Sequence, residues 1–342
     1  MHNKSMCSAA LVVVLEAVGC SSSPGSTMNY GAPGSGSASG SGGGSGSSVT
    51  AHRKAYVGLF GDSAVAVLDT VTNTVLKTIP VTAPDGLAIT PDGKKVYVSS
   101  TDSGTVKVIT TDDDTILTSI DVGSKPAGLA ISPDGSRAVV SVGGANEAVI
   151  VDTSADVVLK QVPVGMAHSS CITADGRYAY VGSQVTTAPA VVVVDITGDT
   201  PPKSFPVDKS PRALSCTSGK IYFSAIGLDA VEMLDPATGM LGTPIPTGGS
   251  PHDVRATKDG KFELVVSQTV GDLEFIDPVA DQVVGTVPTG KLPHWITLFT
   301  DGTEAYVTNE DDDNVVLVDL AARRVTDTIA IGNAPRKMAM QP

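Results

Sequence analysis

Seven positions, about 42 residues apart, carry most of the side chains in this sequence that could do chemistry. They follow Pro84, Pro126, Ala167, Pro211, Pro251, Pro293 and Pro335, and are filled by Asp85, Ala127, His168, Arg212, His252, His294 and Arg336. The chain has five His, and the other two, His2 and His52, lie near its N-terminus. Every later His therefore falls on one recurring position. Arg presents a planar donor fork to carboxylate, phosphate or sulfate, and His adds donors. The set His168, Arg212, His252, His294 and Arg336 thus reads as a binding site for an anionic small molecule or glycan. Trp295, the single Trp, offers a flat stacking surface beside it. Two other readings stay open. His168, His252 and His294 could hold a transition metal, although its ligands must converge to about 2 Å and two Arg would repel a cation. Alternatively these residues pair with one another, Arg336 with Asp85 for instance, or line a hydrated channel.

Other polar groups read as structural. The stretch "AYVTNEDDDNVVLVD" (305–319) inserts an acidic loop between two β-type runs. It lacks the Gly and terminal Glu spacing of a calcium loop, so a solvated turn is expected. Asp69, Asp152, Asp195, Asp235, Asp277 and Asp319 each end an equivalent run, and such a recurrence marks turn-forming Asp residues. Asp253 and Arg255, two apart on one side of a strand, are expected to form an ion pair. Lys337 adds a further positive group. Cys171 and Cys216 occupy neighbouring repeats, and both a bridge and two buried thiols are compatible with that placement. No nucleophile elbow, phosphate loop or zinc-protease motif is present.

What must position the set is a tandem repeat. From residue 54 onward each unit holds four short β-type runs, the first two joined by a turn such as "PDG" (91–93, 133–135) or "DG" (175–176, 259–260, 301–302). Gly at such a turn accepts positive φ, the mark of a hairpin. A period of about 42 residues with four strands per unit is that of a β-propeller. Residues 54–82 supply only the last three strands of a unit and 335–342 only the first. Six whole units and this split one give an all-β, seven-bladed propeller of four-stranded antiparallel blades. The ring is closed by the C-terminal strand pairing with the N-terminal three.

"AYVTN", "VVLVD" and "PDG" resemble the YVTN-type seven-bladed propeller repeat proteins, in their exported bacterial form, over essentially all of 54–342. The resemblance implies that the first strand of each blade lines the central channel, which puts the His/Arg set at the channel mouth. It also implies export or surface attachment. It does not fix an activity, because propellers host many. A ligand-binding or protein-interaction module that needs no cofactor is the leading reading, and an enzyme is disfavoured. A lactonase- or lyase-like enzyme using His252 or His294 as base, and a purely structural envelope protein, are the rivals.

Composition bounds the partners. With 41% hydrophobic and 17% charged residues the chain is globular, and a formal charge of −13 argues against nucleic acid. At the N-terminus, "AALVVVL" (9–15) is too short to span a bilayer, and "AVGC" (17–20) resembles a lipobox with Cys20 as the lipidated residue. Residues 1–19 are therefore expected to be a lipoprotein-type signal. The Gly/Ser-rich stretch 20–50 is expected to be a disordered tether, and 51–342 a monomeric propeller held in the cell envelope, periplasmic or surface-exposed, with membrane contact only through the lipid.

Overall fold

The computed structural model describes residues 53–217 and 219–342. The expected signal, Cys20 and the tether all lie outside the described residues. The described strands form seven four-stranded antiparallel sheets, as the repeat period predicts. Blades two to seven run in sequence order, starting at Pro84, Pro126, Ala167, Pro211, Pro251 and Pro293. Blade one is the split one. Its inner strand is Pro335–Met340, paired with Lys54–Leu59 and followed by Ala64–Asp69 and Thr74–Pro80. The inner strands of successive blades lie side by side around the whole ring, back to the start.

The sequence pattern explains this stacking. Second and third strands such as Tyr178–Ser183 and Ala190–Asp195 are almost continuously apolar because both of their faces are covered. Seven buried apolar clusters result, each straddling one pair of neighbouring blades. Outer strands such as Thr74–Pro80 are mostly exposed, Val75 and Leu76 included, with Ile79 turned into the core. The hairpin glycines Gly93, Gly135, Gly176, Gly260 and Gly302 all sit at φ between 69° and 75°, where a Cβ would be strained. Each of the six recurring Asp residues accepts backbone N–H groups two or three residues on, as from Val71 to Asp69 and from Ala321 to Asp319. They are Asx turns, as expected.

A polar clasp also ties neighbouring blades. Lys54 and Tyr56, on the second strand of blade one, both donate to Asp114 in the outer turn of blade two. Lys95 and Tyr97 repeat this with Asp156, Lys220 pairs with Asp281, and across the closure the Tyr306 hydroxyl donates to Asn73. Asn73, Asp114, Asp156 and Asp281 all have φ between 50° and 56°. Asn and Asp tolerate that left-handed turn, so one residue shapes the turn and receives the neighbour's donors. Cys171 and Cys216, on the inner strands of blades four and five, are joined by a disulfide with Cα atoms 5.6 Å apart.

Candidate functional site

Each inner strand pairs irregularly with its neighbour directly after its first residue, as between Pro84 and Leu87 or Pro251 and Val254. This bulge turns the second residue of the strand out of the ladder. Asp85, Ala127, His168, Arg212, His252, His294 and Arg336 all lie on it, so the recurring position of the sequence is one ring of bulges.

The five basic members do not contribute equally. His252 and His294 are buried, 4% and 6% exposed, with ring centroids 3.9 Å apart. Burial and the neighbouring positive groups hold both well below the ordinary imidazole value. They are neutral rings, and the Nδ1 of each is buried without a hydrogen-bond partner. His168 is half-buried, and its Nδ1 lies 3.0 Å from the Arg212 carbonyl. Only an N–H can serve a carbonyl, so Nδ1 carries the proton and Nε2 is left as an acceptor. Burial also lowers the pKa of His168, with Lys337 as the next cause.

The two Arg differ most. Arg336 is engaged: its Nε donates to Glu310 at 3.0 Å and its guanidinium lies 3.6 Å from the centroid of the Phe60 ring. The suggested pairing of Arg336 with Asp85 is therefore replaced by Glu310, which the acidic loop carries inward on a short 3-10 turn, Glu310–Asp312. The same carboxylate lies 3.7 Å from His294 Nε2. Arg212 makes no side-chain hydrogen bond or ion pair among the described residues. Its pKa is lowered by burial, a cost that Glu310 partly offsets and Arg336 adds to.

The acidic loop is thus more than a solvated turn. Asp312 accepts the Lys291 N–H, Asp313 accepts the Ala334 N–H, and Glu310 enters the mouth. Glu310 is the site residue that sequence reasoning missed. Its signal was position, since loops between second and third strands share a face with the starts of inner strands.

Below the bulge ring lies a second tier, Asp253, Trp295 and Lys337, on the inner strands of blades six, seven and one. Asp253 is fully buried, accepts from Arg255 Nε at 3.1 Å and from the Ile296 N–H at 3.0 Å, and so forms the expected ion pair. Trp295 donates to the Met338 carbonyl and has the cations of Arg255 and Lys337 at 4.0 and 4.9 Å from its ring. It is buried here, and it lines a cavity at the other end of the inner strands. Lys337 is 3% exposed, and burial lowers its pKa. Among the described residues no group of three or more His, Cys, Asp or Glu is arranged to hold a metal ion.

Beside Arg255, Glu263 is buried on the second strand of blade six, and desolvation pushes its pKa up to about 7 against the opposing pull of Ser215 and Arg255. The folded chain keeps this proton up to about pH 7, whereas an unfolded Glu loses it near 4.5. Stability from this group therefore falls as pH rises between those values and is level above them. Glu263→Gln is expected to remove that slope and to gain on the order of 2 kcal/mol over wild type at pH 8, with little difference at pH 4. Urea unfolding of both proteins at the two pH values checks this.

Comparisons with known proteins agree with the architecture. A candidate 6-phosphogluconolactonase from Bacteroides fragilis superposes with a TM-score of 0.72 at 17% identity, covering 86% of this chain and 99% of that one. Hydrazine synthase of Kuenenia stuttgartiensis gives 0.70 at 20% identity, covering 78% and 92%. AztD of Citrobacter koseri gives 0.63 at 15%, covering 84% and 97%. At such identities the likeness is one of fold. A search of curated protein sequences found no match. Residues 44–342 match the model of the YNCE-like β-propeller, and the chain belongs to that family.

Proposed function

We propose that this propeller is a binding module whose channel mouth takes an anionic, hydroxylated small molecule such as a sugar acid. The observation that carries this reading is Arg212, a half-buried guanidinium with no partner among the described residues, beside two buried imidazoles whose Nδ1 atoms are also unpartnered. Leaving buried polar groups unpaired costs about 1–3 kcal/mol each, and a ligand that pairs them recovers it. In this assignment Arg212 holds the carboxylate in its fork, and His168 Nε2 accepts a ligand hydroxyl. Arg336, held by Glu310 and Phe60, shapes the wall and supplies field. Trp295 supports the tier below and does not stack on the ligand.

The proposal places the module in the cell envelope, anchored through Cys20 and working as a monomer. The Cys171–Cys216 bridge supports such a compartment, since disulfides persist where the surroundings are oxidising.

Thermal unfolding of the chain with gluconate, glucuronate, phosphate, sulfate and zinc tests the reading. A ligand at one hundred times its Kd adds about 2.7 kcal/mol, a shift of several degrees for a chain of this size. The expected result is a shift with the sugar acids that Arg212→Ala removes. A shift with zinc alone, surviving Arg212→Ala, would point to His168, His252 and His294 as metal ligands and overturn it.

One observation favours a second reading. Glu310 lies 3.7 Å from His294 Nε2, beyond a hydrogen bond yet near enough to orient the ring once a ligand draws the mouth together. A neutral His beside a carboxylate is the arrangement a lactone-hydrolysing base requires. Turnover of a sugar lactone that is lost in Glu310→Gln while the sugar acid still binds would establish it.

A further inference from the structure

The inner strands have a second end, and it too is hollow. A bowl of about 480 Å³ opens there, at the ends of the inner strands away from the His/Arg ring. Ile89, Ile131, Ile172 and Leu298 give it an apolar wall, and the polar residues lining it include Arg255 and Ser170. Ser170 Oγ is buried without a partner. Arg255 spends one donor, Nε, on Asp253, and its guanidinium rests 4.0 Å from the centroid of the Trp295 ring. Its two terminal nitrogens make no hydrogen bond among the described residues, and a third of the side chain, 33%, stays exposed.

This is a prepared anion anchor. Ion pair and ring together fix the guanidinium before any ligand arrives, so little side-chain entropy remains to be lost on binding. Its open edge matches the two oxygens of a carboxylate. Asp253 already accepts from Arg255 and from the Ile296 N–H. Glu263, the other carboxyl group close to Arg255, is kept largely protonated by its burial below neutral pH. The wall decides which anion. Four aliphatic side chains reward an apolar body and offer nothing to phosphate or sulfate.

We propose that this bowl is a second binding site, distinct from the mouth, for a monocarboxylate on a short apolar body, with the carboxylate on the outer edge of Arg255. The ligand class differs from that of the mouth: one site selects hydroxyl groups, the other excludes them.

Trp295 is the only Trp in the chain, so its emission reports this end of the channel. The test titrates the full chain with hexanoate, 1-hexanol and inorganic phosphate while following that emission. Hexanoate is expected to give a saturable change, hexanol to bind about tenfold more weakly or worse, and phosphate to give none. Arg255→Gln should weaken hexanoate by about tenfold or more. Arg212→Ala should leave it unchanged, so failure here and failure at the mouth are distinguishable. If Arg255→Gln does not fold, Ala130→Phe, which fills the bowl without touching a charge, should abolish the same titration. No response to hexanoate, equal binding of hexanol, or a response that survives both Arg255→Gln and Ala130→Phe would overturn the proposal.

Discussion

Deleting residues 335–342 is expected to abolish the native monomer, with a loss comparable to the whole stability of a domain. The eight residues supply the inner strand of blade one, which pairs along Lys54–Leu59 from Ala55 with Met340 to Leu59 with Pro335. Met338 and Met340 are buried in the cluster shared with Trp295 and Tyr306, and Ala339 in the next one. The Met338 carbonyl accepts from Trp295 Nε1 and Thr297 Oγ1, and the Arg336 carbonyl accepts from Thr308 Oγ1. Burial of each large apolar side chain contributes about 1.5–3 kcal/mol, and each orphaned buried donor costs about 1–3 kcal/mol. Their sum rivals the roughly 5–15 kcal/mol by which a domain is stable. The deletion also bares a strand edge at Lys54–Leu59, a template for association. Gel filtration and calorimetry should show aggregates and no cooperative transition. A monomer with the wild-type melting temperature would contradict the closure.

The second large effect belongs to the blade clasp. Asp114→Ala should cost about 2–3 kcal/mol, because it orphans the buried Tyr56 hydroxyl and leaves Lys54 Nζ with the Thr111 carbonyl as its remaining acceptor. It also places Ala at φ 55°, where Asp and Asn are far better tolerated. Asp114→Asn separates the contributions. It keeps the turn and an acceptor for Tyr56 while removing the charge opposite Lys54, and it should lose no more than about half as much. Asn73 in the same place across the closure, accepting from Tyr306, shows that an amide serves there. Urea midpoints of the two variants measure the difference, and equal losses would remove charge from the account.

The two results bear on how far the sequence could be read. The ring, its blade count and its split closure were legible because one period repeats seven times, and most repeats carry the same hairpin Gly and the same Asx turn. Placing His168, Arg212, His252, His294 and Arg336 at one level was legible for the same reason. Their inequality was not. Whether an Arg is free depends on a partner far away in sequence, and Glu310 sits in a loop whose acids all look alike as letters. Position in a one-residue bulge decided that Trp295 faces away from the mouth, and alternation along a strand could not show it. The Cys171–Cys216 bridge lay between: adjacent blades allowed it, and only the 5.6 Å Cα separation decided it. The clasp was missed because its members lie in different repeats, where each reads as an ordinary strand Lys or turn Asp.

In the proposed function Arg212 waits for an anion at the mouth. The most direct measurement is a crystal structure of the protein grown with saturating gluconate. The expected result is a carboxylate in the Arg212 fork with a hydroxyl donating to His168 Nε2, and Arg336 still on Glu310. A mouth holding only water, with Arg212 turned to share Glu310, would contradict it.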